Sequence, residues 1–152
     1  VDHGWQKIAF ADKLKEAAMI IYGLNYKQVY GEYKDVIDSR YGLTPRYILQ
    51  RLGTEVAREI HPNTWILAVK RQIDRSENLH IVIDDVRFRN EADAMHSWGG
   101  KVILIKRDSR LSDTYDDHIS EQLQDIDYDM IIDNNYDIYN LQSIVRGIIC
   151  NI

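Results

Sequence analysis

Apolar residues along this chain recur at two spacings, and the changes of spacing mark where elements begin and end. Residues 6–10 alternate as a short strand and stop at Ala11-Asp12; Leu14, Ala17, Ala18 and Ile21 then recur at helical spacing as far as Gly23. Residues 25–42 are rich in tyrosine and charge without firm periodicity, which predicts a loop holding a short helix. Thr44-Pro45 is a helix start, a capping hydroxyl followed by proline at the first helical position. Ile48, Leu52, Val56 and Ile60 continue that helix as one stripe until Pro62 ends it. A further helix begins at Asn63, with Trp65, Ile66, Val69 and Ile73 facing inward. Residues 79–83 and 101–105 are short, β-branched apolar runs, the form of strands buried on both faces. Residues 89–98 predict a helix closed by Gly99-Gly100, residues 120–123 a short helix, 130–132 a strand and 138–149 a final amphipathic helix.

Strands alternating with helices give repeated βα units, so the expected fold is α/β, a doubly wound and largely parallel sheet with helices on both faces. No repeat, linker or low-complexity stretch interrupts residues 1–152, which predicts a single domain.

Composition narrows the function. Hydrophobic residues make up 45% and charged residues 28%, the balance of a globular protein. The apolar runs are too short to span a bilayer, and a cytoplasmic location is expected. A net charge of -5 disfavours a broad nucleic-acid footprint, which needs a basic face, but leaves room for a mononucleotide met by a few arginines. The single cysteine, Cys150, excludes an internal disulfide and lacks metal-ligand partners; a buried place in the last helix is expected for it. His61 and His80 also lack metal partners at helical spacing. The chain begins at Val1 rather than methionine, so a processed, trimmed or partly observed polypeptide is expected.

In open α/β sheets ligands bind at the carboxyl ends of the strands. Four places qualify: Phe10-Ala11-Asp12, Asp84-Asp85-Val86-Arg87, Lys106-Arg107-Asp108 and Asp133-Asn134-Asn135. Asp84 and Asp85 put a carboxylate at a strand tip, where hydrated magnesium or a substrate hydroxyl could be met, and Arg87 follows within reach of an anion. A strand cap explains the same run without chemistry. Lys106-Arg107 offers two more cations. Arg46 stands at a helix start, where amides also favour an anion, with Gln50 one turn on along the same face; a surface salt bridge would explain Arg46 equally well. Neither a G-x-x-x-x-G-K-[ST] loop nor a G-x-G-x-x-G turn occurs: Gly99-Gly100-Lys101 has Met95 at the first glycine position and Val102 at the hydroxyl position.

Taken in order, Phe10-Ala11-Asp12-Lys13-Leu14-Lys15, Thr44-Pro45-Arg46, Leu49-Gln50, Leu52-Gly53-Thr54-Glu55, Trp65, Asp85-Val86-Arg87-Phe88 with Asn90-Glu91-Ala92, Lys106-Arg107 and His118-Ile119-Ser120-Glu121 resemble the bacteriophage-type deoxynucleoside monophosphate kinases. The resemblance implies a P-loop kinase fold and transfer of the terminal phosphoryl of ATP to a deoxynucleoside 5′-monophosphate with Mg2+. It implies Phe10, Asp12 and Lys15 bordering the substrate, with Arg46, Gln50, Glu55 and Trp65 on helices that hold the monophosphate and Glu91 also on the substrate side. Asp85, Arg87 and Arg107 would serve the reacting phosphates, and Asn134 would lie near the ATP base. A homodimer in the host-cell cytoplasm, with nucleotides as its small-molecule partners, follows from the same resemblance.

Two departures are mild: Lys13 and Arg89 stand where prolines are usual. The third is larger, for the family's first strand and glycine-rich loop have no counterpart here, and the chain is expected to be missing them. Two other readings stay open: an inactive relative that keeps nucleotide or partner binding, and a metal-dependent nuclease using Asp84, Asp85 and Glu91.

Overall fold

A computed structural model describes residues 4–78, 80–107 and 125–149. The chain forms two compact units, Val1–Val86 and Arg87–Ile152. Among the described residues no helix is long and apolar enough to cross a membrane.

In the first unit strand β1 (Gln6–Ile8) leads into α1 (Phe10–Tyr22), which ends on Gly23 at φ 59° as the glycine stop predicts. A short helix, α2 (Tyr26–Tyr30), is opened by an Asn25–Gln28 capping box. The Thr44 hydroxyl caps α3 (Pro45–Gln50) by accepting the Tyr47 N–H at 3.2 Å, with Pro45 at the first position. Residues Arg51–Val56 then form a π-helical turn before α4 (Ala57–Ile60), α5 (Thr64–Asp74) and β2 (Ile81–Ile83). Ala18, Leu24, Val29, Ile48 and Leu49 form the buried centre, flanked by Leu14, Met19, Tyr22 and Leu52. Ile21, in the last turn of α1, lies off that centre and is exposed.

The expected stripe Ile48-Leu52-Val56-Ile60 breaks at its middle. Ile48 is buried, but Val56 and Ile60 are 46% and 80% exposed. The i→i+5 bonding of a π turn spreads it over more residues than the 3.6 of an α-helix, so later positions rotate off the inward face. The turn is built around Gly53, where an added Cβ would stand 2.7 Å from Leu14 Cδ2 of α1. The buried Trp65 Nε1–H donates to the Gly53 carbonyl at 2.9 Å and so occupies an acceptor at that turn.

Strands β1 and β2 pair in parallel, with Gln6 opposite Ile81, Lys7 opposite Val82 and Ile8 opposite Ile83. In the second unit α6 (Arg89–Ser97) ends before Gly99 at φ 78°, and β3 (Ile103–Lys106) pairs in parallel with β4 (Met130–Asp133) ahead of α7 (Ile138–Ile149). The described sheets thus have two strands each, and both are parallel. Burial of the strands on both faces is not found: Val82 is 40% and Ile105 54% exposed. A strand paired on one edge within a two-stranded sheet keeps a face open unless helices cover both sides. Leu79, the helix expected at 120–123, the motif His118–Glu121 and Cys150 lie outside the described residues.

Candidate functional site

Strand alternation sorts the two carboxylates at the tip of β2. Side chains two apart share a face, so Asp84 follows Val82 and Asp85 follows Ile83. Lys7 is opposite Val82, and Asp84 is its diagonal neighbour; the Lys7 Nζ and Asp84 carboxylate pair at 2.6 Å on the solvent side. The hydrogen bond that Lys7 donates to Asp84, then the charge of that carboxylate, raises the Lys7 pKa. On the other face Asp85 meets the start of α1. Its Oδ1 accepts the Phe10 N–H and its Oδ2 the Ala11 N–H, each at 2.9 Å. Both amides belong to the helix's first turn, which lacks intrahelical partners, and Ala9 supplies no side-chain cap. The carboxylate therefore caps the helix from 74 residues away, and it matches the positive end of the helix dipole.

Beyond that first turn, Lys15 Nζ stands 4.2 Å from the centroid of the Tyr30 ring. Burial, then the charges of Asp12 and Glu16, push the Tyr30 hydroxyl above its ordinary pKa. Tyr30 in turn stacks on Tyr26, with centroids 4.7 Å apart and planes inclined by 24°. Phe10 is buried, whereas Asp12 and Lys15 are half-buried.

Arg46 grips Asp35 through two bonds, Nε–Oδ1 at 2.5 Å and Nη2–Oδ2 at 2.9 Å. The pair is exposed, and the Arg46 hydrogen bond holds the Asp35 carboxyl below the usual range. Gln50 is exposed, and its carbonyl accepts the Thr54 hydroxyl at 2.6 Å. Glu55 pairs with Arg51. Trp65 is buried with its N–H committed to Gly53. The motif residues of this unit thus divide into a strand-tip group around Asp85 and a helix group on α3, the π turn and α5.

In the second unit Glu91 is 2% exposed, and its Oε2 accepts the backbone N–H of Arg87 at 2.8 Å and of Phe88 at 3.2 Å. Those bonds satisfy amides at the start of α6 and leave the Arg87 side chain exposed. At the ends of β3 and β4, Lys106 is the register partner of Asp133, and the Asn134 N–H donates to the Lys106 carbonyl at 2.7 Å. Asn134 is thereby brought beside the Lys106-Arg107 step, where Arg107 is exposed. Farther back, the Asp129 Oδ2 accepts the Val102 N–H at 2.7 Å and lies 3.0 Å from His96 Nε2. Both bonds, the Val102 amide first, lower the Asp129 pKa.

Sequence reasoning passed over Lys7 and the Tyr26–Tyr30 pair. The tyrosines carried a signal, since i and i+4 face the same way once a helix is recognised. Lys7 carried none, because its partner is fixed only by the parallel register.

The described residues make an α/β protein with two small parallel sheets. A family model described as deoxynucleotide monophosphate kinase matches residues 5–145. A protein of Acanthamoeba polyphaga mimivirus that carries the provisional name of deoxynucleotide monophosphate kinase is 34% identical over 165 residues, covering 97% of this chain and 84% of the viral protein. The deoxynucleoside-5′-monophosphate kinase of Escherichia phage T5 is 36% identical over 75 residues, 47% of this chain and 29% of the phage protein. The chain is a phosphotransferase and belongs to the deoxynucleotide monophosphate kinase family.

Proposed function

We propose that the protein transfers the terminal phosphoryl group of ATP to a deoxynucleoside 5′-monophosphate, and that the acceptor lies along the carboxyl edge of β1 and β2. The observation that carries this reading is the Asp85 clasp, which fastens the tip of β2 to the Phe-Ala-Asp turn at the start of α1. Phosphoryl transfer is largely positioning and charge neutralisation, so a rigid junction flanked by cations is what the reaction requires of a protein.

In this reading Phe10, Asp12 and Lys15 border the acceptor, and Asp85 fixes the backbone that carries them. Arg46 is the phosphate ligand of the helix group, exchanging Asp35 for the acceptor's phosphate, with Gln50 on the same helix. Glu55 and Trp65 shape the π turn, and Glu91 holds the backbone beneath Arg87. Arg87 and Arg107 serve the transferring phosphates, and Asn134 the base of ATP. A P-loop kinase arrangement is the fold that goes with this assignment.

Among the described residues, the carboxylates at the tip of β2 do not converge into a protein-held magnesium site. Asp85 commits both oxygens to amides, Asp84 is paired with Lys7, and no three His, Cys, Asp or Glu side chains converge among the described residues. Magnesium in this reaction is therefore assigned to the nucleotide's own phosphates and water, as is common for this ion. The family match supports the kinase reading rather than the nuclease reading.

The test is an assay of the full-length gene product, glycine-rich loop included, with ATP and each deoxynucleoside monophosphate, and with products identified by mass. Deoxynucleoside diphosphate in equal amount to ADP is expected. ADP without diphosphate product would sink the reading.

A further inference from the structure

The pair Tyr26 and Tyr30 is stacked, yet Tyr26 is 67% and Tyr30 41% exposed. Two stacked aromatic rings exposed to water leave a large apolar ring face uncovered. Their position is set by α1. Lys15, one turn beyond the amides that Asp85 caps, places its ammonium over the Tyr30 ring, a cation–π contact that fixes the inner ring of the pair. The Asn25–Gln28 capping box fixes the start of α2 and so the orientation of both rings. Every π-face can stack on a nucleobase, and such contacts are tolerant of sequence. The platform thus adjoins, through Asp12 and Lys15, the edge assigned above to the acceptor.

We infer that Tyr26, backed by Tyr30 and Lys15, is the stacking surface for the base of the acceptor nucleotide, a base-binding contact that does not select a single base. This inference rests on the proposed function of the same site. Stacking supplies affinity from a planar ring whatever its exocyclic groups, so the surface favours a broad acceptor range over selection of a single base.

The experiment compares wild type, Tyr26→Ala and Tyr26→Phe in steady-state kinetics with dGMP, dTMP and deoxyribose 5-phosphate, and follows nucleotide base protons by NMR. One stack is worth about 1–3 kcal/mol, so Tyr26→Ala should raise the KM for each nucleotide by roughly 5- to 150-fold. Its kcat and its KM for ATP should stay within about twofold, an allowance for small secondary changes at a residue that touches no reacting atom. Tyr26→Phe should restore the wild-type KM, and deoxyribose 5-phosphate should show no difference between the variants. Base protons should shift upfield on wild type and Tyr26→Phe but not on Tyr26→Ala. An unchanged nucleotide KM in active Tyr26→Ala, or a rise in the ATP KM instead, overturns the platform and leaves the kinase reading standing. A wild-type protein inactive on every nucleotide overturns both.

Discussion

Asp85 and Phe10 are joined by a 2.9 Å hydrogen bond across 75 residues of sequence, and the second oxygen of the same carboxylate takes the next amide, Ala11. One side chain thereby fastens the tip of β2 to the turn between β1 and α1. The bond uses the groups by which a helix start would attract an anion, so the carboxylate fixes the local backbone and sets the local charge together. A neutral or shorter residue at this position changes both.

Asp85→Ala leaves two helix-start amides without a partner. Loss of a cap of this kind, with a charged acceptor, is expected to lower stability by about 1–3 kcal/mol. Asp85→Asn keeps one acceptor oxygen and should lose about half as much. Urea unfolding followed by circular dichroism checks the order wild type, Asn, Ala. An alanine variant as stable as wild type would show that the clasp does not hold the turn.

Arg87 and Glu91 are four residues apart and should behave oppositely. The Arg87 side chain is exposed, so Arg87→Ala should keep stability within about 0.5 kcal/mol. If it meets the transferring phosphate, turnover should fall by about 10²–10³-fold. Glu91 is buried and bonded to two amides, so Glu91→Ala should first lower the melting temperature. Parallel thermal melts and turnover measurements separate the two. Normal turnover in Arg87→Ala removes it from the reaction.

The elements were legible in the sequence where local chemistry decides them. Thr44-Pro45, Gly23 and Gly99 mark helix ends through capping and left-handed backbone, and the structure places them there. The apolar runs at β2, β3 and β4 are strands for the same local reason. What could not be read is what depends on another part of the chain. The π turn at Arg51–Val56 follows no simple period and rests on Leu14 and Trp65, so Val56 and Ile60 carried a helical signal that the folded chain does not use. Asp84 and Asp85 looked alike at the strand tip. Only the pairing of β2 with β1 sends one to Lys7 and the other to α1.

Asp35 occupies the guanidinium that the proposed function gives to the acceptor's phosphate. Asp35→Asn removes that competing charge while keeping the shape. An exposed pair of this sort is worth no more than about 1 kcal/mol, so release of Arg46 should lower the KM for the nucleotide acceptor by at most about fivefold. Arg46→Ala should raise it. Acceptor titrations at low salt, where exposed charges are least screened, give the clearest contrast. A higher KM in Asp35→Asn would mean that the pair positions Arg46 for its ligand.

Asp38 is expected to make stability depend on pH in the acid range. It is buried at 8% exposure, and its carboxylate accepts the Arg40 Nη2 at 2.6 Å, the Arg40 Nε and backbone N–H at 3.0 Å each, and the Gln28 Nε2 at 2.8 Å. These bonds, the Arg40 side chain first and Gln28 next, hold its pKa well below the usual carboxylate range. A carboxyl with a lowered folded-state pKa stabilises the fold at pH values above its unfolded pKa, near 3.9, and loses that contribution as pH falls toward the folded value. The Arg40 Nη2 also donates to the Gly23 carbonyl at 3.2 Å, so protonation of Asp38 loosens the end of α1 as well as the Asp38 turn. Melting temperatures measured from pH 7 down to pH 2 should therefore fall steeply below about pH 4 in wild type. Asp38→Asn should be less stable at pH 7, and its curve should be flatter through that acid range. Parallel acid limbs in the two proteins would show that other carboxylates govern the transition.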